Sequence, residues 1–161
     1  MGLSTLVLGL SSLALFQEPE ETKLEAAQRK VTELEAELGP EHLDLIEPLD
    51  ALMMIYYRQA EYGKAEKVCR QILAIREIVL GLDHPSVATA LNNLGVFLMK
   101  QGSYAEARPL YERALAIREK ALDPEHPDVG DSLNDLAILL KDQGSYAEAR
   151  PLYERSLAIR K

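Results

Sequence analysis

Gln101–Arg118 reads QGSYAEARPLYERALAIR and Gln143–Arg160 reads QGSYAEARPLYERSLAIR, so 17 of 18 positions agree at an offset of 42 residues, Ala114 against Ser156 being the exception. Identity this long at a fixed offset is an internal repeat, and a repeat decides the architecture before any single residue does. Following the offset backward from Tyr104 finds Tyr62, then Ala65 for Ala107 and LAIR at Leu73–Arg76 for Leu115–Arg118. A third, more diverged copy therefore precedes the other two.

Each copy carries a two-helix plan. Helix A is expected over about 43–59, 85–101 and 127–143, and helix B over 62–80, 104–122 and from 146 to the C-terminus. Pro85 suits a first helical turn, where its missing N–H would be unpaired anyway. Leu91, Leu94, Gly95 and Leu98 then fall on one face at i, i+3, i+4 and i+7. Gly102 ends the helix, and Ser103-x-x-Glu106, repeated as Ser145-x-x-Glu148, reads as a capping box opening the next. Pro109 and Pro151 lie inside helix B and are expected to bend its early turns. Upstream, Leu24, Ala27, Val31, Leu34 and Leu38 make an amphipathic stripe over 20–38. Two heptads are too few for a lone coiled coil, so this helix must pack on the one after Gly39-Pro40.

Leu91, Leu94, Gly95 and Leu98 on helix A, with Ala107, Tyr111 and Ala114 on helix B, resemble the signature of the tetratricopeptide repeat. The usual repeat is 34 residues; the 42-residue period, the LAIRE extension and the turns Asp83-His84-Pro85 and Glu125-His126-Pro127 are similar to the repeats of kinesin light chain. The resemblance implies an all-α fold, a right-handed superhelical solenoid of stacked antiparallel helix pairs. It divides the chain into a segment 1–38 that is either a degenerate repeat or a signal segment plus the amphipathic helix, then repeats at 39–81, 82–123 and 124–161, with more repeats expected in a full protein. In the first repeat Met53 replaces the small residue and Ala60-Glu61-Tyr62-Gly63 lacks the capping box, so looser packing is expected there.

A hydrophobic fraction of 47% with 27% charge suits a folded, helix-rich chain and argues against disorder. The net charge of −8 repels phosphate backbones, so no nucleic-acid partner is expected. Residues 1–16 are too short and too interrupted by Ser, Thr and Gly to span a bilayer. Two readings stay open for them. Ser12-Leu13-Ala14 resembles a signal-peptidase site, although no Lys or Arg precedes the apolar run; alternatively Leu10 and Gln17 fall in register with the later repeats. A cytoplasmic location goes with the second, export with the first if residues 1–14 are a signal.

Chemistry is sparse. His42, His84 and His126 recur at the repeat period, too far apart to share a metal at helix spacings of roughly 8–10 Å, and read as turn residues. Cys69, in the place of Tyr111 and Tyr153, reads as a small buried apolar group. Arg76, Arg118 and Arg160 read as structural arginines near the end of helix B, pairing with an acid of the next turn such as Asp83 or Glu125. No phosphate loop, nucleophilic triad or Cys/His cluster occurs, so the expectation is no enzyme, no cofactor and no metal.

What remains is a binding scaffold, or alternatively a structural, sensor or oligomerisation arm of a larger protein. On helix A a second stripe, Thr89, Asn92, Val96 and Met99, lies about 130° from the core face. Its counterparts are Glu47, Asp50, Met54 and Tyr57 in the first unit and Asp131, Asn134, Ile138 and Lys141 in the third. Stacking makes a polar row beside an apolar one, which the resemblance places on a concave groove for a peptide. Arg58 and Lys100 add charge at one rim. Side-chain amides could pair with a peptide backbone; alternatively Asn92 and Asn134 cap local structure or face water. Because helix B at 146–160 repeats a sequence that the next unit covers at 104–118, self-association through that uncapped face is also expected.

Overall fold

The computed structural model describes residues 22–160, and the alternatives for residues 1–16 fall outside them. Seven helices follow one another: α1 (Lys23–Leu38), α2 (Ile46–Arg58), α3 (Tyr62–Leu80), α4 (Pro85–Lys100), α5 (Tyr104–Ala121), α6 (Pro127–Asp142) and α7 (Tyr146–Ile159). Helix A of the three units is α2, α4 and α6, and helix B is α3, α5 and α7. Successive helices pack on each other, and α4 also touches α6. The result is an all-α repeat solenoid in which each unit leans on its chain neighbours.

The ends of the helices show where local chemistry departs from the sequence expectation. Ser103 and Ser145 make no side-chain cap to the helices they precede. The turn is instead closed from the preceding helix, by Ser103 N–H to the Leu98 carbonyl at 2.8 Å and Gly102 N–H to that of Met99 at 3.0 Å, with Gly102 at φ 80°. That is a Schellman motif, and it fixes the serine backbone before its hydroxyl can reach the third amide. The first unit closes the same way with Ala60 at φ 57°, a left-handed residue where its counterparts are glycine. The capping box that does form is at α1, where Thr22 and Glu25 bond reciprocally.

The three histidines cap helices. The Nδ1 atoms of His42, His84 and His126 accept the amides of Asp44, Ser86 and Asp128 at 3.2, 3.2 and 3.1 Å, which requires the neutral imidazole protonated on Nε2. In the first unit a 3-10 turn, Leu43–Leu45, precedes α2. Pro48 falls in the first turn of α2, where its missing N–H costs no helical hydrogen bond. Pro109 removes one hydrogen bond from α5, yet the helix runs unbroken across it.

Between units, long side chains join helix B to helix B at the repeat period. Gln71 bonds Glu35, Arg113 pairs with Glu77 at 2.6 Å, and Arg155 pairs with Glu119. Glu35, Glu77 and Glu119 are 42 residues apart, so α1 stands where helix B of a preceding unit would stand. Each exposed pair contributes little alone, roughly 0–1 kcal/mol, but together they set register.

The core is built from reciprocal sizes. A Cβ added at Gly95 would lie 2.7 Å from the Tyr111 ring, so glycine is what lets α4 and α5 close on that tyrosine. In the first unit the sizes are swapped: Met53 is 3% exposed and Cys69 0%. The looser packing expected there is absent, because the larger residue on helix A is met by a smaller one on helix B. Burial pushes the Cys69 thiol up to about 12, and its Sγ donates to the Ala90 carbonyl at 3.3 Å, an inert packed thiol.

Candidate functional site

Among the described residues, α4 and α6 are the pair of like helices whose backbones approach, whereas helices B are bridged only by long side chains. The stack therefore closes toward helices A. On that side two pockets adjoin, sharing Tyr57 and Val96. One, of about 220 Å³, is lined by Met53, Met54, Tyr57, Asn93, Val96 and Phe97. The other, of about 470 Å³, is bordered by Tyr57, Val96, Met99, Lys100, Tyr104, Tyr111, Asp135, Ile138 and Asp142. Tyr57 is fixed between Tyr62 and Phe97, with ring centroids 5.9 and 6.0 Å away in tilted contacts.

The structure gathers Met54, Tyr57, Val96, Met99, Lys100 and Ile138 around these pockets. The polar row is arranged differently. Asn92 is only 7% exposed, and its amide nitrogen donates to Asp135 Oδ2 at 3.2 Å and Ser132 Oγ at 3.4 Å. It is spent holding α4 to α6. Thr89 accepts from Arg118 and Asp50 from Arg76, both at 3.3 Å, and Asp131 accepts from Arg160 at 2.6 Å. The LAIR arginines thus reach back to helix A of their own unit, while Asp83 pairs with Lys120 instead. Lys141 pairs with Asp142 at 3.5 Å; Arg58 is exposed and Asn134 half-buried.

The sequence reading missed Asp135, Asp142 and Tyr104. The first two lie at i−3 and i+4 from Ile138, the neighbours of that side chain on a helix, and that spacing was the available signal. Burial and then the nearby Asp131 hold the Asp135 carboxyl up at about 6, against the pull of Arg118 and Arg160. Because the folded value exceeds the unfolded one, ionisation of Asp135 opposes folding above pH 6, and stability from this group is gained as pH falls from about 6 to about 4. We expect Asp135→Asn to flatten that window, by about 1 kcal/mol after allowance for solvent screening. Denaturant melts of both proteins between pH 7.5 and 4.5 measure the difference; parallel profiles contradict it.

Sequence models of the tetratricopeptide repeat match residues 52–86 and 86–161. The chain belongs to the tetratricopeptide repeat family. Among solved structures it is similar to a putative kinesin light chain of Podosopora anserina with nearly identical TPR-like repeats, at 28% identity and TM-score 0.74, covering 85% of this chain and 65% of that one. BtubC (BKLC) from P. vanneervenii matches at 26% identity and TM-score 0.75, over 84% of this chain and 56% of that one. The chain thus spans less than two thirds of either protein's length. The TPR domain of Arabidopsis FLU, at 20% identity and TM-score 0.59, shares the fold, covering 70% of this chain and 92% of that one. A comparison with curated proteins returns no match. The tetratricopeptide repeats here are of kinesin light chain type, and the family is one of non-catalytic scaffolds for protein–protein interaction. Among the described residues no helix is long and apolar enough to cross a membrane.

Proposed function

We propose that this tetratricopeptide chain binds an extended or short helical segment of a partner protein on the face of helices A. The observation that carries the reading is the pair of adjoining pockets, whose apolar row Met54, Val96 and Ile138 is half-buried or exposed rather than packed into the core. Such a row suits alternate side chains of a peptide, and Lys100 and Arg58 stand at one rim. The polar row contributes differently at its three levels: Asp50 and Asp131 hold arginines, Asn92 holds Asp135, and Asn134 remains for a ligand. A protein partner also fits the charge of −8, which disfavours nucleic acid. A cytoplasmic location belongs with this reading, and an exported one with residues 1–14 acting as a signal. The test is the double change Met54→Glu and Ile138→Glu, with helicity by circular dichroism and retention of partners from host extract. Unchanged helicity with at least tenfold loss of retention is expected; full retention would place the partner elsewhere.

A second reading has its own observation. Tyr146 and Leu157 of α7 are 68% and 60% exposed, whereas the same positions on α5, Tyr104 and Leu115, are half-buried. That face favours a role as an arm that stacks on a second copy or on further helices.

A further inference from the structure

We propose that the pocket around Asp135 receives the side chain of an arginine or lysine, so that the partner segment is basic. The inference rests on the groove reading above and names the chemistry of its ligand.

Asp135 is a half-buried carboxylate that accepts a hydrogen bond from a neutral amide, Asn92. Among the described residues no Lys or Arg nitrogen lies within 4 Å of it. The two guanidinium groups that act on it from a distance are engaged: Arg118 donates to the Asp128 carbonyl at 3.0 Å, to Ser132 Oγ at 2.7 Å and to Thr89, and Arg160 is paired with Asp131. A carboxylate removed from water without a counter-ion is costly, and that cost is what raises its titration. An incoming cation lowers it and gains a charge-assisted hydrogen bond.

The rest of the cavity fits the same guest. Tyr57 and Tyr104 border it with aromatic surface suited to a cation and its methylene stem. Asp142 stands at the border, already tied to Lys141. Lys100 also borders the cavity, but it forms no ion pair with either carboxylate. An acidic side chain entering here would add a third carboxylate beside Asp135 and Asp142, a like-charge penalty that one lysine at the end of α4 does not offset. The overall charge of −8 steers a basic segment inward as well. Asn92 takes the role of a positioning residue, orienting the Asp135 carboxylate from within the packed junction.

The experiment uses three peptides as probes: acetyl-Leu-Arg-Leu-amide, the same peptide with citrulline, which keeps the shape of arginine but not its charge, and the same with glutamate. Amide chemical shifts of residues 96–104 and 135–142 are followed by NMR. Saturable binding of the arginine peptide is expected, with citrulline and glutamate at least tenfold weaker. Asp135→Asn should bring arginine down to the citrulline level and leave citrulline unchanged. Equal binding of arginine and citrulline, or tighter binding of glutamate, at the same amides overturns the inference while leaving the groove intact. If none of the three moves those amides, the groove reading falls with it. The comparison of arginine with citrulline on the unaltered protein decides even if the variant fails to fold.

Discussion

Gly95→Met should destabilise the protein by about 3 kcal/mol, and adding Tyr111→Cys should return most of that loss. A single methyl at position 95 would sit 2.7 to 2.9 Å from three atoms of the Tyr111 ring, closer than packed carbons approach. The ring has little freedom to move, being 1% exposed with its hydroxyl 3.4 Å from Met99 Sδ. Glycine in mid-helix costs about 1 kcal/mol relative to alanine, so steric overlap must outweigh a propensity gain before a substitution here is harmful. A methyl comes close to balance; the methionine side chain does not. The first unit shows the remedy, since Met53 opposite Cys69 is as fully buried as Gly95 opposite Tyr111. The double variant transposes that pair into the second unit. Urea melts of the wild type, both single variants and the double variant give the coupling energy, and strict additivity would mean that the two positions do not share one space.

The pairing of Gly95 with Tyr111 also shows what a sequence can and cannot reveal. Period and helix bounds were legible because they rest on local rules: Pro85 at the first turn, Gly102 after the last, apolar residues every third or fourth place. Met53 and Cys69 were each visible as exceptions, yet their mutual compensation became visible only with α2 and α3 laid together. Asn92 differs from the rest of its stripe for a similar reason. At 100° per residue it belongs to the groove stripe, but α4 and α6 approach closely enough to enclose it, and interhelical distance is not a property of one helix. Ser103 failed as a cap because a motif formed by the preceding helix governs its backbone. Local patterns placed the elements; the site depended on how neighbouring units meet.

That junction is where the second large effect is expected. Arg118→Ala should cost about 2–4 kcal/mol, whereas Arg160→Ala, the same position one repeat later, should cost about 0.5 kcal/mol or less. The difference follows from burial. Arg118 is 6% exposed, and its guanidinium joins Thr89 of α4 to the Asp128 carbonyl and Ser132 hydroxyl of α6. Ser132 is 0% exposed, so truncating the arginine leaves its buried hydroxyl with only the longer bond from Asn92, as well as a cavity. Among the described residues Arg160 pairs with Asp131 alone, its side chain 50% exposed and that of Asp131 57%. Lysine at 118 should recover little, because one ammonium on a flexible stem does not span three acceptors that a planar fork reaches together. Thermal melts of the alanine variants at both positions decide the matter. Equal losses at 118 and 160 would show that the arginine serves only its own helix and that the joint between the second and third units is held by packing alone.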